Sequence, residues 1–167
     1  MTVSKDFIWV IVVLVLEGLL GLWLLYRSGV LKSRLAWAVS VLLLALALGL
    51  RALLFDYETL DYLNFLSRWV EFFREHGGFS AMRYPIGNYN IPYLYFLALF
   101  SLLPMDDLYL IKLLSTFSDV LLAWSVLLLC SRFTKSRSRL LAAFFVTLFL
   151  PTVFSGSWRP QCDLWPL

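Results

Sequence analysis

Asp61 is the residue of this chain whose type and position most invite chemistry. It opens a patterned stretch just beyond a long apolar run, so its carboxylate is held where an apolar segment gives way to a polar one. A carboxylate there can act as a general base towards an acceptor hydroxyl, or it can complement the positive end of a helix that starts at this point. Asp56 and Glu58 offer the same chemistry a few residues earlier. Lys112 and Asp119 lie inside another apolar run, with Ser115 and Thr116 between them, at a spacing that puts them on one face of a helix. Ionisable residues in such a run face a bundle interior or a wet cavity, although Lys112 is close enough to one end to snorkel. Glu17, midway along the first apolar run, reads as a packing residue or one end of an interhelical hydrogen bond. Arg51, Arg83 and Lys112 could together supply cationic charge to a phosphate leaving group; snorkelling for Arg51 and Lys112, and a solvated loop for Arg83, are the alternatives. His76, the single histidine, sits beside Gly77-Gly78 as a helix-end residue. There is no Cys/His metal set, no phosphate-cradling glycine loop and no Ser-His-Asp arrangement, so neither a metal site nor a cofactor is expected, and P-loop and serine-hydrolase chemistry drop out.

The elements that must position these groups follow from composition. Of the 167 residues, 61% are hydrophobic and 15% charged, against roughly 45–50% and about 25% in soluble domains. The chain is therefore expected to be an all-α, polytopic membrane bundle forming a single transmembrane domain over 1–167. A span needs about 20 apolar residues. Residues 7–26, 35–55 and 108–130 qualify directly, and 140–158 qualifies if neighbouring helices tolerate Pro151. The net charge of +3 is a matter of topology, since the segments 27–34 and 131–139 hold seven of the fourteen basic residues and no acid. Short loops of that kind stay in the cytoplasm; no nucleic-acid partner is expected. The run 91–103 is too short to cross. With it dipping into the outer leaflet and returning, both basic loops lie inside, and the N-terminus and the loop 56–107 lie outside the cell membrane.

The outer loop is patterned. Tyr62, Phe65, Leu66, Trp69, Phe72 and Phe73 recur at helical spacing, with Asp61, Asn64, Arg68, Glu71 and Glu75 on or near the other side. This predicts an amphipathic helix lying at the interface, stopped by Gly77-Gly78. The tyrosine-rich stretch that follows, with Pro85 and Pro92, is of the kind that lines a cleft.

The order of these features resembles the GT-C superfamily of membrane glycosyltransferases. The resemblance rests on Asp61-Tyr62 followed by Arg68-Trp69, then Asn88-Tyr89-Asn90-Ile91-Pro92-Tyr93-Leu94-Tyr95, then Ile111-Lys112-Leu113 with Ser118-Asp119, and finally Leu150-Pro151 followed by Gln161-Cys162-Asp163. It implies transfer of a sugar from a polyprenyl-phosphate donor to an acceptor hydroxyl on the outer face, with inversion at the anomeric carbon. Asp61 would then be the base, and Arg51, Tyr89, Asn90, Tyr93, Lys112, Asp119, Gln161 and Asp163 would line the substrate site. The partners so implied are a lipid-linked sugar and membrane lipids. Arg159-Pro160 stands where the family has Trp-Gly, and members of the family are several times longer, so the chain is expected to be the N-terminal part of such an enzyme. The alternative is a truncated, inactive fragment or a small helical membrane partner.

Overall fold

A computed structural model describes residues 5–86 and 90–157, with side chains described from 6 to 86 and from 90 to 150. Among the described residues the protein is all-α. Its helices are α1 (Lys5–Arg27), α2 (Arg34–Ala52), α3 (Ser67–Glu75), α4 (Ile91–Phe100), α5 (Asp107–Cys130) and α6 (Arg137–Ser157). A π-helical turn, Tyr62–Leu66, runs into α3, and a 3-10 helix, Gly78–Arg83, follows it. Among the described residues, three helices are long and apolar enough to cross a membrane: Asp6–Arg27, Arg34–Ala52 and Asp107–Cys130. The fourth expected span falls on α6, whose helix continues through Pro151. With no water in a bilayer core, a helix is the element that satisfies every backbone group within its own segment.

The chain divides into two compact units, one formed by Met1–Val10 and Leu54–Leu114, the other by Ile11–Leu53 and Ser115–Leu167. The second is a helical bundle. Its core joins Leu24, Leu25, Leu44, Ala47, Val120, Ala123, Leu127, Phe144 and Leu148 from four helices. Close approach is permitted by Gly21, where an added Cβ would stand 3.1 Å from Leu44. The loop between α1 and α2 is set by Gly29 at φ 69 and by Ser33, whose side chain accepts from the Ala36 N–H at 3.0 Å. A side-chain oxygen on an orphan donor of the first turn is what starts a helix cleanly. Leu35, Leu42 and other large apolar residues stay exposed on the helix surfaces. That is the pattern of a bundle whose solvent is lipid.

The first unit folds around α3 and α4. Leu66, Val70 and Phe73, at helical spacing, are buried with Ala81 from the 3-10 helix and Leu94, Leu97 and Ala98 from α4. The apolar stripe of the amphipathic helix is thus spent on protein packing, while Phe65 on its flank remains exposed. The turn after α3 needs both glycines: Gly77 and Gly78 have φ 78 and 62, and a Cβ on Gly78 would lie 2.8 Å from Leu102. At ten residues, α4 is far too short to cross a bilayer.

Candidate functional site

Asp61 sits at the head of the π turn, exposed, in the unit built around α3. The connector that delivers it, 54–61, has little regular structure of its own and is held by α5. The Lys112 ammonium donates to the carbonyls of Leu54, Phe55 and Tyr57, the Phe55 bond being 2.6 Å long. An ammonium has three protons to give, so these carbonyls match its capacity. The Tyr109 hydroxyl donates to Asp56 Oδ1 at 2.7 Å, and its ring stacks on Phe55 with centroids 6.3 Å apart. In return the connector side reaches α5: the Tyr62 hydroxyl donates to Asp107 Oδ2 at 3.3 Å. Burial, and then the negative charges of Asp107 and Asp106, push the Tyr62 hydroxyl well above its ordinary range, so it remains a neutral donor. Asp106 accepts from the Leu108 N–H at 2.9 Å and starts α5.

These contacts sort the acids of the unit. Asp56, Asp106 and Asp107 hold the connector and the head of α5, and Asp61 and Glu58 are exposed residues of the same unit. Asn90 is the residue before α4 and is exposed; Tyr93, in the first turn of α4, is half-buried. Asp61, Asn90, Tyr93 and Lys112 all belong to this unit. Lys112 serves it as a clamp on the backbone, a use that its position near a span end does not reveal. Arg83 donates through Nε to the Ser80 carbonyl at 3.0 Å, and His76 stacks on Phe72 at 4.0 Å beside the Gly-Gly stop.

Arg51 and Asp119 belong to the helical unit, where they meet each other. The guanidinium, 8% exposed, pairs through Nη1 with Asp119 Oδ2 and donates through Nη2 to the Leu148 carbonyl at 2.8 Å. Three helices, α2, α5 and α6, are tied at one side chain. Leu148 lies in the turn before Pro151, whose missing N–H frees the carbonyl of Thr147, one residue earlier. Glu17 joins the same neighbourhood: Thr116 gives its carboxyl a hydrogen bond, and Arg51 and Asp119 are close enough to act on it electrostatically. Of the two roles open to Glu17, packing and an interhelical hydrogen bond, the contact with Thr116 of α5 is of the second kind. Its proximity to the ion pair has no signal in linear spacing, because the three charged residues sit on three different helices.

Tyr89, Gln161 and Asp163 lie outside the described residues. Among those described, no group of three or more His, Cys, Asp or Glu side chains is placed to hold a metal ion. No family model matches the sequence, and neither a curated protein nor a solved structure shows significant similarity to it.

Proposed function

We propose that this chain is a membrane glycosyltransferase of the GT-C kind, or a part of one, which moves a sugar from a polyprenyl-phosphate donor to an acceptor hydroxyl. The observation that carries this reading is the setting of Asp61: an exposed carboxylate beside a connector that Lys112 and Tyr109 hold in place, in a chain with three helices apolar enough to span a bilayer. Asp61 takes the proton of the acceptor hydroxyl as its oxygen attacks the anomeric carbon. The bond from that carbon to the phosphate oxygen breaks, its electron pair leaves with the polyprenyl phosphate, and the configuration inverts. Asn90 and Tyr93, in the same unit, are assigned to substrate. Arg51 and Asp119 support the bundle through their mutual pair.

In this reading the segments 27–34 and 131–139, rich in basic residues, face the cytoplasm, and 56–107 faces out, with α4 dipping into the outer leaflet. Single cysteines at Ser33 and Ser80, probed with a membrane-impermeant thiol reagent on intact cells, should give labelling at Ser80 only. Labelling at Ser33 alone would reverse the orientation. The activity is tested with the protein in lipid vesicles supplied with polyprenyl-phosphate mannose or glucose and a hydroxyl acceptor. Acceptor-dependent release of polyprenyl phosphate is the expected result. Its absence with each donor, in vesicles whose protein is folded, would overturn the reading.

A further inference from the structure

Positive charge in the helical unit gathers at one end. Trp124 of α5 donates its indole N–H to the hydroxyl of Ser28, in the loop after α1, at 3.1 Å, and Val30 and Leu31 of that loop share a core with Leu127 of α5 and Leu140 of α6. The segments 27–34 and 131–139, far apart in sequence, therefore cover the same end of the bundle. Their seven basic residues are all exposed, and none forms an ion pair among the described residues. Arg27 rests over the Trp23 ring at 5.9 Å, which leaves its charge unneutralised. The described acids of this unit, Glu17 and Asp119, lie roughly 15 Å or more from that end along their helices, and Asp119 is taken by Arg51. Topology asks for basic loops, but not for the apolar side chains set among these: Leu35 is 73% exposed beside Arg34, and Phe133 is 84% exposed between Arg132 and Lys135.

We infer that this end of the helical unit binds an anionic phospholipid, whose headgroup the two basic loops hold together while its chains lie against Leu35 and Phe133. Clusters of lysine and arginine directly at span ends gather anionic lipid. A surface that offers cations to a phosphate and, in the same stretch, exposed leucine and phenylalanine to a hydrocarbon chain fits a ligand with both parts. A nucleic acid has no use for the second. Tyr26 and Trp37, with ring centroids 6.1 Å apart, flank the first loop, and aromatic rings of that kind anchor helices at headgroup level. Because the cations come from both loops, the lipid ties the α1–α2 pair to the α5–α6 pair. This inference does not rest on the transferase reading, and it holds for either orientation of the chain, since in both the basic end meets a bilayer surface.

The test is a titration of the detergent-solubilised protein with phosphatidylglycerol or phosphatidylcholine, the bound lipids being counted by native mass spectrometry. The wild type should prefer phosphatidylglycerol by at least about fivefold, the contribution of a single basic side chain near charged lipid, and the preference should shrink as salt is raised. Lys32→Gln with Arg34→Gln, in the first loop, and Arg132→Gln with Lys135→Gln, in the second, should each weaken phosphatidylglycerol binding by about fivefold per side chain. Phe133→Ser, which alters no charge, should weaken both lipids. Arg68→Gln with Arg74→Gln removes two exposed basic residues of the other unit, beside Glu71 and Glu75, and should change nothing. Glycerol 3-phosphate, which has the phosphate without the chains, and a short oligonucleotide should each leave the lipid bound. Equal affinity of the wild type for the two lipids, a loss confined to one loop, a loss as large in the Arg68 and Arg74 variant, or displacement of the lipid by glycerol 3-phosphate or the oligonucleotide would overturn the proposal.

Discussion

The two units use their charged residues in opposite ways. In the unit around α3 and α4 the acids are exposed or half-buried, and their contacts are short and positional: Asp56 with Tyr109, Asp107 with Tyr62, Asp106 with the Leu108 amide. In the helical unit a few charged groups are buried and meet across helices, as Arg51 does with Asp119 and with the Leu148 carbonyl. An exposed pair adds little to stability because water competes for both partners. A buried one has no such competitor, so losing one partner strands the other. A carboxylate that is to exchange protons with a substrate belongs in the first setting, and one that holds a bundle together belongs in the second.

The largest effect should come from breaking that pair, in which Arg51 is buried and Asp119 half-buried. Arg51→Ala leaves Asp119 without its guanidinium and the Leu148 carbonyl without its donor, at a cost of about 3–5 kcal/mol, read as a lowered unfolding midpoint in lipid nanodiscs. The double variant Arg51→Met with Asp119→Leu should recover much of the loss. If Arg51→Ala cost no more than an exposed substitution, the contrast between the units would fail.

Gly78→Ala comes next. The left-handed backbone there costs a Cβ roughly 1–2 kcal/mol, and Leu102, 2.8 Å away, must also shift. Gly29→Ala, with a similar φ of 69 and open space around it, isolates the backbone contribution. Equal losses at the two positions would show that Leu102 moves freely.

Much of this architecture is legible in the sequence, for physical reasons particular to each element. The runs 7–26, 35–55 and 108–130 are apolar throughout, and the helices found there, Lys5–Arg27, Arg34–Ala52 and Asp107–Cys130, differ from them by no more than a few residues at either end. The end of α2 differs most, because Leu53 to Asp56 form the turn that Lys112 caps. The Gly77-Gly78 stop could be read because only glycine takes two successive left-handed conformations easily. The site was harder to read. The pairing of Arg51 with Asp119 depends on which helix faces lie together, and hydrophobic periodicity does not record that when a helix is apolar on every side. Likewise, Lys112 reads as a snorkelling or ligand-binding lysine because its partners are backbone carbonyls, which no side-chain pattern encodes. The π turn before α3 also leaves no trace in the spacing of its apolar residues.

The smallest effect on stability belongs to the exposed unit. Tyr109→Phe loses the bond to Asp56 but keeps the stack on Phe55, so it should cost about 0.5–1.5 kcal/mol. A larger loss would mean that the connector depends on that hydroxyl more than on the Lys112 clamp. In the donor-consumption assay the same variant tests whether a loosened connector slows transfer.

The account stands or falls most directly on Asp61. The measurement is the rate of donor consumption by Asp61→Asn, beside Asp56→Asn, Glu58→Gln and the wild type, with each unfolding midpoint recorded. A general base contributes typically ~10²–10⁴-fold, so Asp61→Asn should lose at least about 100-fold in rate with its midpoint unchanged, while the other two lose far less. Retention of more than about a tenth of the wild-type rate, or an equal loss in all three variants, would contradict the assignment of Asp61 as the base.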